Sequence, residues 1–269
     1  MLTKLLKHEF RATARIMGPL YLILLAVALG FNLSARLMNS SSFILNMMAA
    51  LVVMAYVVAI TAVFIVAFVL MLQRFYKNLL GDEGYLMFTL PASVHQHVWS
   101  KLIVSAVWFI VTGVVVILSV FVAAADVHFF TGLLDVFPEL FRAMNAYYAI
   151  NGTAFMLEFL ALLFVGSVGF MLQFYAALAV GHSFASHKTA LSVLFFFVFQ
   201  FVVQMVGASL LALLNDGPLY HLLRAMDIQL SGMAAIHFAM VAMILLAAVY
   251  GAVFYVVTVY FLKNKLNLE

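Results

Sequence analysis

The sequence predicts an all-α polytopic membrane protein with six membrane-spanning helices, and three observations support this prediction. First, 68% of the 269 residues are hydrophobic and only 9% are charged, whereas soluble domains are roughly 45–50% apolar and about 25% charged. Second, six apolar stretches approach or exceed the roughly 20 residues that a helix needs to cross a bilayer. Third, Lys and Arg gather in alternate connecting segments, which is the bias that orients multi-pass chains.

The predicted spans cover residues 18–33, 43–72, 102–124, 153–180, 190–214 and 235–262. The first is short, so we expect its helix to begin before Pro19. The second is longer than a hydrocarbon core of about 30 Å requires at about 1.5 Å per residue, so we expect it to project from the bilayer towards Arg74. We predict a single transmembrane domain over residues 1–269. The hydropathy of the first three spans resembles that of the last three only weakly.

The distribution of basic residues predicts that both termini are cytoplasmic. With the N-terminus inside, only Arg36, Arg142 and Arg224 of the 13 Lys and Arg residues fall in outer segments. The segments predicted to be cytoplasmic hold Lys4, Lys7, Arg11, Arg15, Arg74, Lys77, Lys101, Lys188, Lys263 and Lys265. Because membrane topology accounts for these charges, the positive net charge does not indicate nucleic-acid binding.

The N-terminal segment, residues 2–16, has the pattern of an amphipathic interfacial helix. Its cations recur every three or four residues on one face: Lys4, Lys7, Arg11 and Arg15. The other face holds Leu2, Leu5, Leu6, Phe10 and Thr13. Such a helix lies in the membrane interface with its cations near anionic headgroups, each worth about 1 kcal/mol there. The segment is a topology anchor, a lever between the first span and a cytoplasmic partner, or both.

The stretch RFYKNLLGDEGYLMFTLP, Arg74 to Pro91, lies between the second and third predicted spans. Gly81 and Gly84 are expected to break the helix that arrives from the second span. Asp82 and Glu83 stand near an expected helix start, where carboxylates are favoured. An apolar knob follows: Tyr85, Leu86, Met87, Phe88 and Leu90. This knob folds back onto the bilayer surface, or it inserts into a groove on a soluble partner. In the second case its aromatic residues would contribute most of the binding energy.

The basic N-terminus KLLKHEFRATAR, the six spans and this cytoplasmic stretch together resemble the membrane subunit of an ABC transporter, of the type-2 export permease class. The likeness covers the whole chain in layout. Its sequence-specific part, Arg74 to Lys101, is similar to the corresponding loop in permeases of low-GC Gram-positive bacteria. The resemblance implies a chain in the bacterial cytoplasmic membrane that exports cargo and does not itself catalyse a reaction.

The resemblance also implies partners and site residues. ATP and Mg²⁺ would be bound by a separate ATPase subunit, and a second permease copy or a sister permease would complete the translocation path. The cytoplasmic loop 74–101 would carry the coupling segment that docks on the ATPase, with residues 2–15 as the connecting helix beside it. The coupling residues would be Tyr76, Leu80, Asp82, Glu83, Tyr85, Leu86, Met87 and Phe88.

Sequence motifs for catalysis or cofactor binding are missing. The nearest run to a phosphate-binding loop, GHSFASHKT at Gly181 to Thr189, lacks the required second glycine and the Lys that follows it. Cysteine is absent, which excludes disulfides, Cys-ligated metal sites and a thiol nucleophile. The histidine pairs His95/His97 and His182/His187 have no carboxylate at close spacing, so we expect no metal site.

Glu158 is the one ionisable residue well inside a predicted span. Intramembrane acids are costly and suggest function, so Glu158 belongs to a translocation path or outer gate, or it forms a structural pair with Arg142 or reaches the interface. Gln173, Gln200 and Gln204 are expected to form hydrogen bonds between helices. Gly166, Gly169, Gly207 and Gly251 are expected to permit close helix contact.

Two outer segments, residues 126–151 and 215–233, are expected to lie on or dip into the outer leaflet. The uncharged, Phe- and Met-rich spans favour amphipathic cargo such as antimicrobial peptides, drugs or lipid-like compounds. Two other functions remain open at this point. A secondary transporter would need charged or helix-broken sites near the bilayer midplane, and a non-transporting scaffold or immunity-type protein would need no coupling knob.

Overall fold

The computed structural model describes residues 2–37, 43–81, 83–89, 91–125, 151–215 and 233–265, with a few further positions between 136 and 146. Every regular element in these residues is a helix. The α-helices are α1 (Leu2–Leu37), α2 (Phe43–Phe75), α3 (Glu83–Thr89), α4 (Val94–Ala123), α5 (Gly152–Gly181), α6 (Lys188–Asn215) and α7 (Met233–Asn264), and a π-helical turn, Tyr76–Leu80, extends α2. All of these α-helices except α3 contain a segment long and apolar enough to cross a membrane. The prediction of an all-helical chain with six candidate spans is therefore confirmed. The two predicted outer-leaflet segments fall almost entirely outside the described residues.

The first helix is continuous from Leu2 through Pro19 to Leu37, so residues 2–16 and the first predicted span belong to one helix. Proline inside a helix removes a backbone hydrogen bond and weakens the helix. Here α4 holds the helix on both sides of the proline. Before it, Trp108 Nε1 donates to Thr13 Oγ1 at 2.7 Å; after it, the Tyr21 and Thr112 hydroxyls lie 2.8 Å apart.

The predicted loop 74–101 is mostly helical. The π-helical turn and α3 occupy its middle, and α4 begins at Val94, two turns before the predicted span. Ser93 starts α4 with a capping box. Its side chain accepts from Gln96 N at 3.3 Å, and Gln96 Oε1 accepts from Ser93 N at 3.4 Å. This arrangement satisfies backbone donors that a helix start otherwise leaves unpaired.

The helices fall into two compact units, one with α1, α2 and α4, and the other with the π-helical turn, α3, α5, α6 and α7. The prediction of a single domain over residues 1–269 stays a prediction. In the first unit α1 runs parallel to α4, because contacts from Thr13 onwards advance together along both helices. At the far end Asn32 Nδ2 donates to the Ala123 and Ala125 carbonyls at 3.0 and 2.9 Å. The α2 helix runs antiparallel to both, and its Tyr56 hydroxyl lies 3.0 Å from Ser119 Oγ.

A buried carboxylate joins the start of α1, the end of α2 and the start of α4. Glu9 is 7% exposed and Lys101 is 3% exposed. Arg74 Nε and Nη2 donate to Glu9 Oε2 at 3.2 and 3.0 Å, and Lys101 Nζ donates to Glu9 Oε1. A charge taken out of water is tolerated only when paired and hydrogen-bonded, so these three helix ends are held at the same end of the unit.

The second unit is tied by a close helix crossing. A Cβ on Gly169 of α5 would lie 2.8 Å from Tyr250 Cδ1 of α7, and a Cβ on Gly251 would lie 3.6 Å from Gly169 Cα. The prediction of close helix contact is therefore confirmed for Gly169 and Gly251. For Gly166 and Gly207, an added Cβ would meet nothing within 4 Å among the described residues, so the prediction stays untested there.

A polar triad links α5, α6 and α7 beside this crossing. Gln173 Nε2 donates to Gln200 Oε1 at 3.0 Å, and the Tyr250 hydroxyl donates to Gln173 Oε1. Interhelical hydrogen bonding is thus confirmed for Gln173 and Gln200. The Gln204 side chain is exposed instead. The order of contacts makes α5 parallel to α7 and antiparallel to α6.

We expect Glu9→Gln to lower the free energy of unfolding by about 3 kcal/mol, because it removes the negative charge that Arg74 and the buried Lys101 share. Thermal unfolding in detergent micelles measures the effect. Lys7→Met, which removes an exposed cation two residues away, is the matched control and should change stability little. A Glu9→Gln protein as stable as the Lys7→Met protein would contradict this role for the cluster.

Candidate functional site

The segment Tyr76–Thr89, called the α3 segment below, begins with a π-helical turn that glycine closes. Gly81 N donates to the Tyr76 carbonyl, five residues earlier, at 2.9 Å, and Gly84 N donates to the Gly81 carbonyl at 2.8 Å. A Cβ on Gly81 would lie 3.1 Å from the Lys77 carbonyl oxygen, so a larger residue would be crowded there. The prediction that glycine breaks the incoming helix is confirmed for Gly81, whereas it is wrong for Gly84, which lies inside α3. Single π-helical turns are rare and frequently occur at functional sites.

The α3 segment has a buried side and an exposed side. Leu79, Leu80 and Gly84 are buried. On the other side, Tyr85 is 54% exposed and Leu86 is 73% exposed. The fold therefore presents two large apolar side chains outside the six candidate spans, on a short helix whose opposite side is packed.

The predicted coupling residues are divided between these two sides. Leu80 is buried, Met87 is half-buried, and Glu83 is exposed and accepts a hydrogen bond from Asn78 Nδ2. Asp82 and Leu90 lie outside the described residues, as does the side chain of Phe88. Their assignment to ATPase coupling stays a prediction.

Tyr76 connects the α3 segment to the turn between α5 and α6. Its ring meets the His182 ring edge-on, with centroids 5.2 Å apart and an interplanar angle of 70°. His182 caps α5, and its Nδ1 lies 2.8 Å from the Leu178 carbonyl oxygen and 3.4 Å from Ser192 Oγ. Sequence analysis considered a metal site at His182, expected none, and missed this contact with Tyr76. The available signal was a histidine directly after Gly181, at the end of an apolar span.

The α5–α6 turn is tight around this histidine. A Cβ on Gly181 would lie 2.1 Å from Ser192 Oγ, so only glycine fits at this position. His187 has a φ of 55°, in the left-handed region that few residue types other than glycine and asparagine adopt readily. The turn is therefore a closely packed support for Tyr76.

The environment of His182 disfavours its protonated form. Burial lowers the pKa of His182 below its ordinary value, and the positive charge of Lys188 acts in the same direction, whereas the hydrogen bond to the Leu178 carbonyl opposes both. The imidazole is therefore kept neutral to lower pH than in an unfolded chain.

Glu158 of α5 pairs with His237 of α7. Its two carboxylate oxygens lie 3.0 and 2.8 Å from His237 Nδ1, and both side chains are largely shielded. The alternative of a pair with Arg142 is wrong, because the partner is His237. Sequence reasoning missed this contact because 79 residues separate the two. Whether Glu158 belongs to a translocation path stays a prediction.

The predicted cation face of residues 2–16 is solvent-accessible in the fold. Lys4, Lys7, Arg11 and Arg15 are exposed, and Phe10 is half-buried with its ring 6.3 Å from that of Trp108. Part of the apolar face is thus used against α4. The placement of this segment in the membrane interface stays a prediction.

Within the described part of the chain, no group of three or more His, Cys, Asp or Glu side chains could hold a metal ion. No family model matches the sequence, and neither a curated protein nor a solved structure shows significant similarity to it. The fold and the geometry of the α3 segment are therefore the observations on which a function can be argued.

We expect acidification to destabilise the protein through His182. The unfolded chain takes up a proton near pH 6.5, while the folded chain resists it, so the free energy of unfolding falls as the pH drops below about 6.5. His182→Gln should flatten this part of the profile of Tm against pH between 8 and 5. His187→Asn, which removes an exposed histidine from the same turn and tolerates the positive φ, should retain the wild-type profile. Parallel profiles for wild type and His182→Gln would refute the expectation.

We expect the Glu158–His237 pair to show measurable coupling in a double-mutant cycle. Glu158→Gln and His237→Gln should each lower stability by about 1–3 kcal/mol, since each leaves a shielded polar group with a weaker partner. The double variant should lose less than the sum of the two. Additive losses would mean that the contact contributes nothing specific.

Proposed function

We propose that this chain is the permease subunit of an ATP-driven ABC exporter in the bacterial cytoplasmic membrane. In this proposal the α3 segment docks on a separate ATPase subunit, which binds ATP and Mg²⁺. The chain itself transmits mechanical work and performs no catalysis. The observation that carries the proposal is the exposed pair Tyr85 and Leu86 on a short helix outside the spans.

The apolar exposure of the α3 segment supports docking on a protein. Large exposed apolar and aromatic side chains next to a rigid support are typical of interaction surfaces, where aromatic residues contribute most of the binding energy. The buried Leu79 and Leu80, together with the Tyr76–His182 joint, supply that support. A push on Leu86 would therefore reach the α5–α6 turn through packed side chains.

The distribution of charge supports a cytoplasmic location for this surface. Arg74 and Lys77 flank the start of the α3 segment, and Glu9, Arg74 and Lys101 bring the basic ends of three helices together in the first unit. Lys and Arg near span ends stay on the cytoplasmic side. Both termini and the α3 segment are therefore cytoplasmic, where a soluble ATPase could reach them.

Two permease chains would form the translocation path, as a homodimer or with a sister permease. The cargo class that fits is amphipathic: peptides, drugs or lipid-like compounds. The supporting feature is the composition of the spans, which are rich in Phe and Met and nearly free of charge. Membrane lipids are the other expected partners, through the cations of residues 2–16.

A proton-coupled secondary transporter is a second candidate, and the Glu158–His237 pair favours it. A carboxylate beside an imidazole within spans can exchange a proton, and such residues occur in transporter proton relays. The pair lies near the first turns of α5 and α7, whereas secondary transporters bind ions near the bilayer midplane. Transport abolished by a protonophore at constant ATP would favour this candidate over the exporter.

The predicted side of the α3 segment can be measured directly because the chain has no cysteine. We expect Leu86→Cys to remain unlabelled by a membrane-impermeant maleimide on intact cells and to be labelled in inverted vesicles. A cysteine at Lys265 after α7 serves as a second cytoplasmic reporter. Labelling of Leu86→Cys on intact cells would refute the proposed coupling.

We expect Leu86→Asp to abolish ATP hydrolysis that co-purifies with the tagged chain from native membranes, with at least a tenfold loss of vanadate-sensitive activity. The substitution places a charge where the side chain is 73% exposed, so it disrupts docking and leaves the fold intact. Leu80→Asp is the contrasting variant. Because Leu80 is buried, a charge there should lower the Tm of the protein together with its activity. Unchanged co-purifying hydrolysis with Leu86→Asp would contradict docking through this residue.

A further inference from the structure

We propose that α6 forms the contact with a second copy of this chain, with Gln204 of one copy hydrogen-bonded to Gln204 of the other. The contact deepens the proposed function, since it names the surface that joins the two permeases. The exposure of α6, the depth of the Gln204 amide along that helix and the symmetry of a dimer support this contact.

The outer part of α6 has no packing partner in the described chain. All described side chains from Gln204 to Leu213 are exposed. Nearer its start, α6 packs through one face, on which Phe196 stacks on Phe174 of α5 with ring centroids 4.3 Å apart. The adjacent face is open along the helix, and Phe197 and Phe201 on it are 63% and 62% exposed.

This open face has the spacing of a helix–helix seam. Val193, Phe197, Gln204 and Ala208 follow one another at steps of four, seven and four residues, so at 3.6 residues per turn they form one stripe. Beside it, a Cβ on Gly207 would meet nothing within 4 Å. Small residues in such a stripe let two membrane helices approach closely.

The Gln204 side-chain amide, which lies in this stripe, forms no hydrogen bond within the described part of the chain. Gln204 lies 2.5 residues from the midpoint of α6 (Lys188–Asn215), or about 4 Å along the axis. At that depth an exposed amide faces hydrocarbon, where an unsatisfied polar group costs several kcal/mol. Nearby Ser209 avoids this cost by donating to the Met205 carbonyl at 2.8 Å, and Gln200 uses Gln173. Since no described residue of the same chain bonds the Gln204 amide, a partner from another molecule is favoured.

A second copy of the chain supplies a partner of matching chemistry. A two-fold axis along the membrane normal sets the two α6 helices parallel and brings identical residues together at the same depth. A glutamine amide both donates and accepts, so two Gln204 side chains satisfy each other. A single polar residue in an apolar seam also sets the register, because shifting the helices would leave both amides unpaired.

The first test compares two glutamines on the same helix. Gln204→Leu should raise the dimer dissociation constant about threefold to tenfold, the range expected for one interhelical hydrogen bond in a membrane. Gln200→Leu makes the same change four residues earlier, where the amide bonds within the chain, and should leave the dissociation constant unchanged. Energy transfer between donor- and acceptor-labelled full chains in phosphatidylcholine vesicles gives both constants. Equal effects of the two substitutions would overturn the proposal.

The second test maps the face by oxidative cross-linking in membranes, using the cysteine-free background. Phe197→Cys and Ala208→Cys, on the proposed stripe, should form disulfide-linked dimers. Val202→Cys and Val206→Cys, exposed at similar depths on the opposite side of α6, should not. Cross-linking through the valine positions, or an absence of dimer for all four, would reject this interface.

The two proposals fail in different ways. A dimer that forms through another face would remove the α6 contact and leave the ATPase-coupled function standing. A Leu86→Asp variant with unchanged ATP hydrolysis would remove the proposed coupling, whereas cross-linking at Phe197 and Ala208 would persist.

Discussion

The absence of hydrogen-bonding solvent in a bilayer core is the constraint on which this structure depends. Each spanning segment has to satisfy its own backbone groups, which restricts the chain to helices. Polar side chains in those helices then need partners on their own or neighbouring helices. The Tyr21–Thr112 and Gln173–Gln200 contacts meet this need between helices, and serine and threonine side chains such as Ser209 meet it on their own helix. Hydrogen bonds between side chains, and not the burial of apolar surface, thus specify which helices are neighbours.

The same constraint explains why most charged residues of the spanning helices lie towards their ends, with Glu158 as an exception. Glu9 lies within the first turns of α1, where it binds cations from the end of α2 and the start of α4. The Glu9 cluster fixes the register between the helices of the first unit. The Gly169–Gly251 crossing and the polar triad have the same effect in the second unit. Apolar helix surfaces alone would allow the helices to slide along one another. Similar polar ties occur in the two units, each with its first and third spans parallel and its second antiparallel.

The proposed function rests on two places where described side chains are left without a packing or hydrogen-bonding partner inside one chain. The α3 segment leaves Tyr85 and Leu86 exposed although Leu79 and Leu80 beside them are buried. The α6 helix leaves Gln204 exposed although Gln200, one turn away, is bonded. In both places, buried or hydrogen-bonded side chains lie next to exposed side chains. This arrangement is expected of a chain that binds other proteins. The first suits a soluble protein, because it lies outside the spans, and the second suits another membrane helix, because it lies near mid-span.

The number and approximate bounds of the six candidate spans, and their helical type, were determined by the sequence itself, because hydropathy and span length are local properties that a membrane enforces on each segment. Gly81 as a helix break is local in the same sense. Tertiary structure alone decided which residues meet: Glu9 with Arg74 and Lys101, Glu158 with His237 in place of Arg142, and Tyr76 with His182. It also decided that Gln200 bonds inside the chain and Gln204 does not. These pairings join residues far apart in the chain, and their choice depends on helix rotation and crossing, which periodicity in an almost uniformly apolar sequence does not encode.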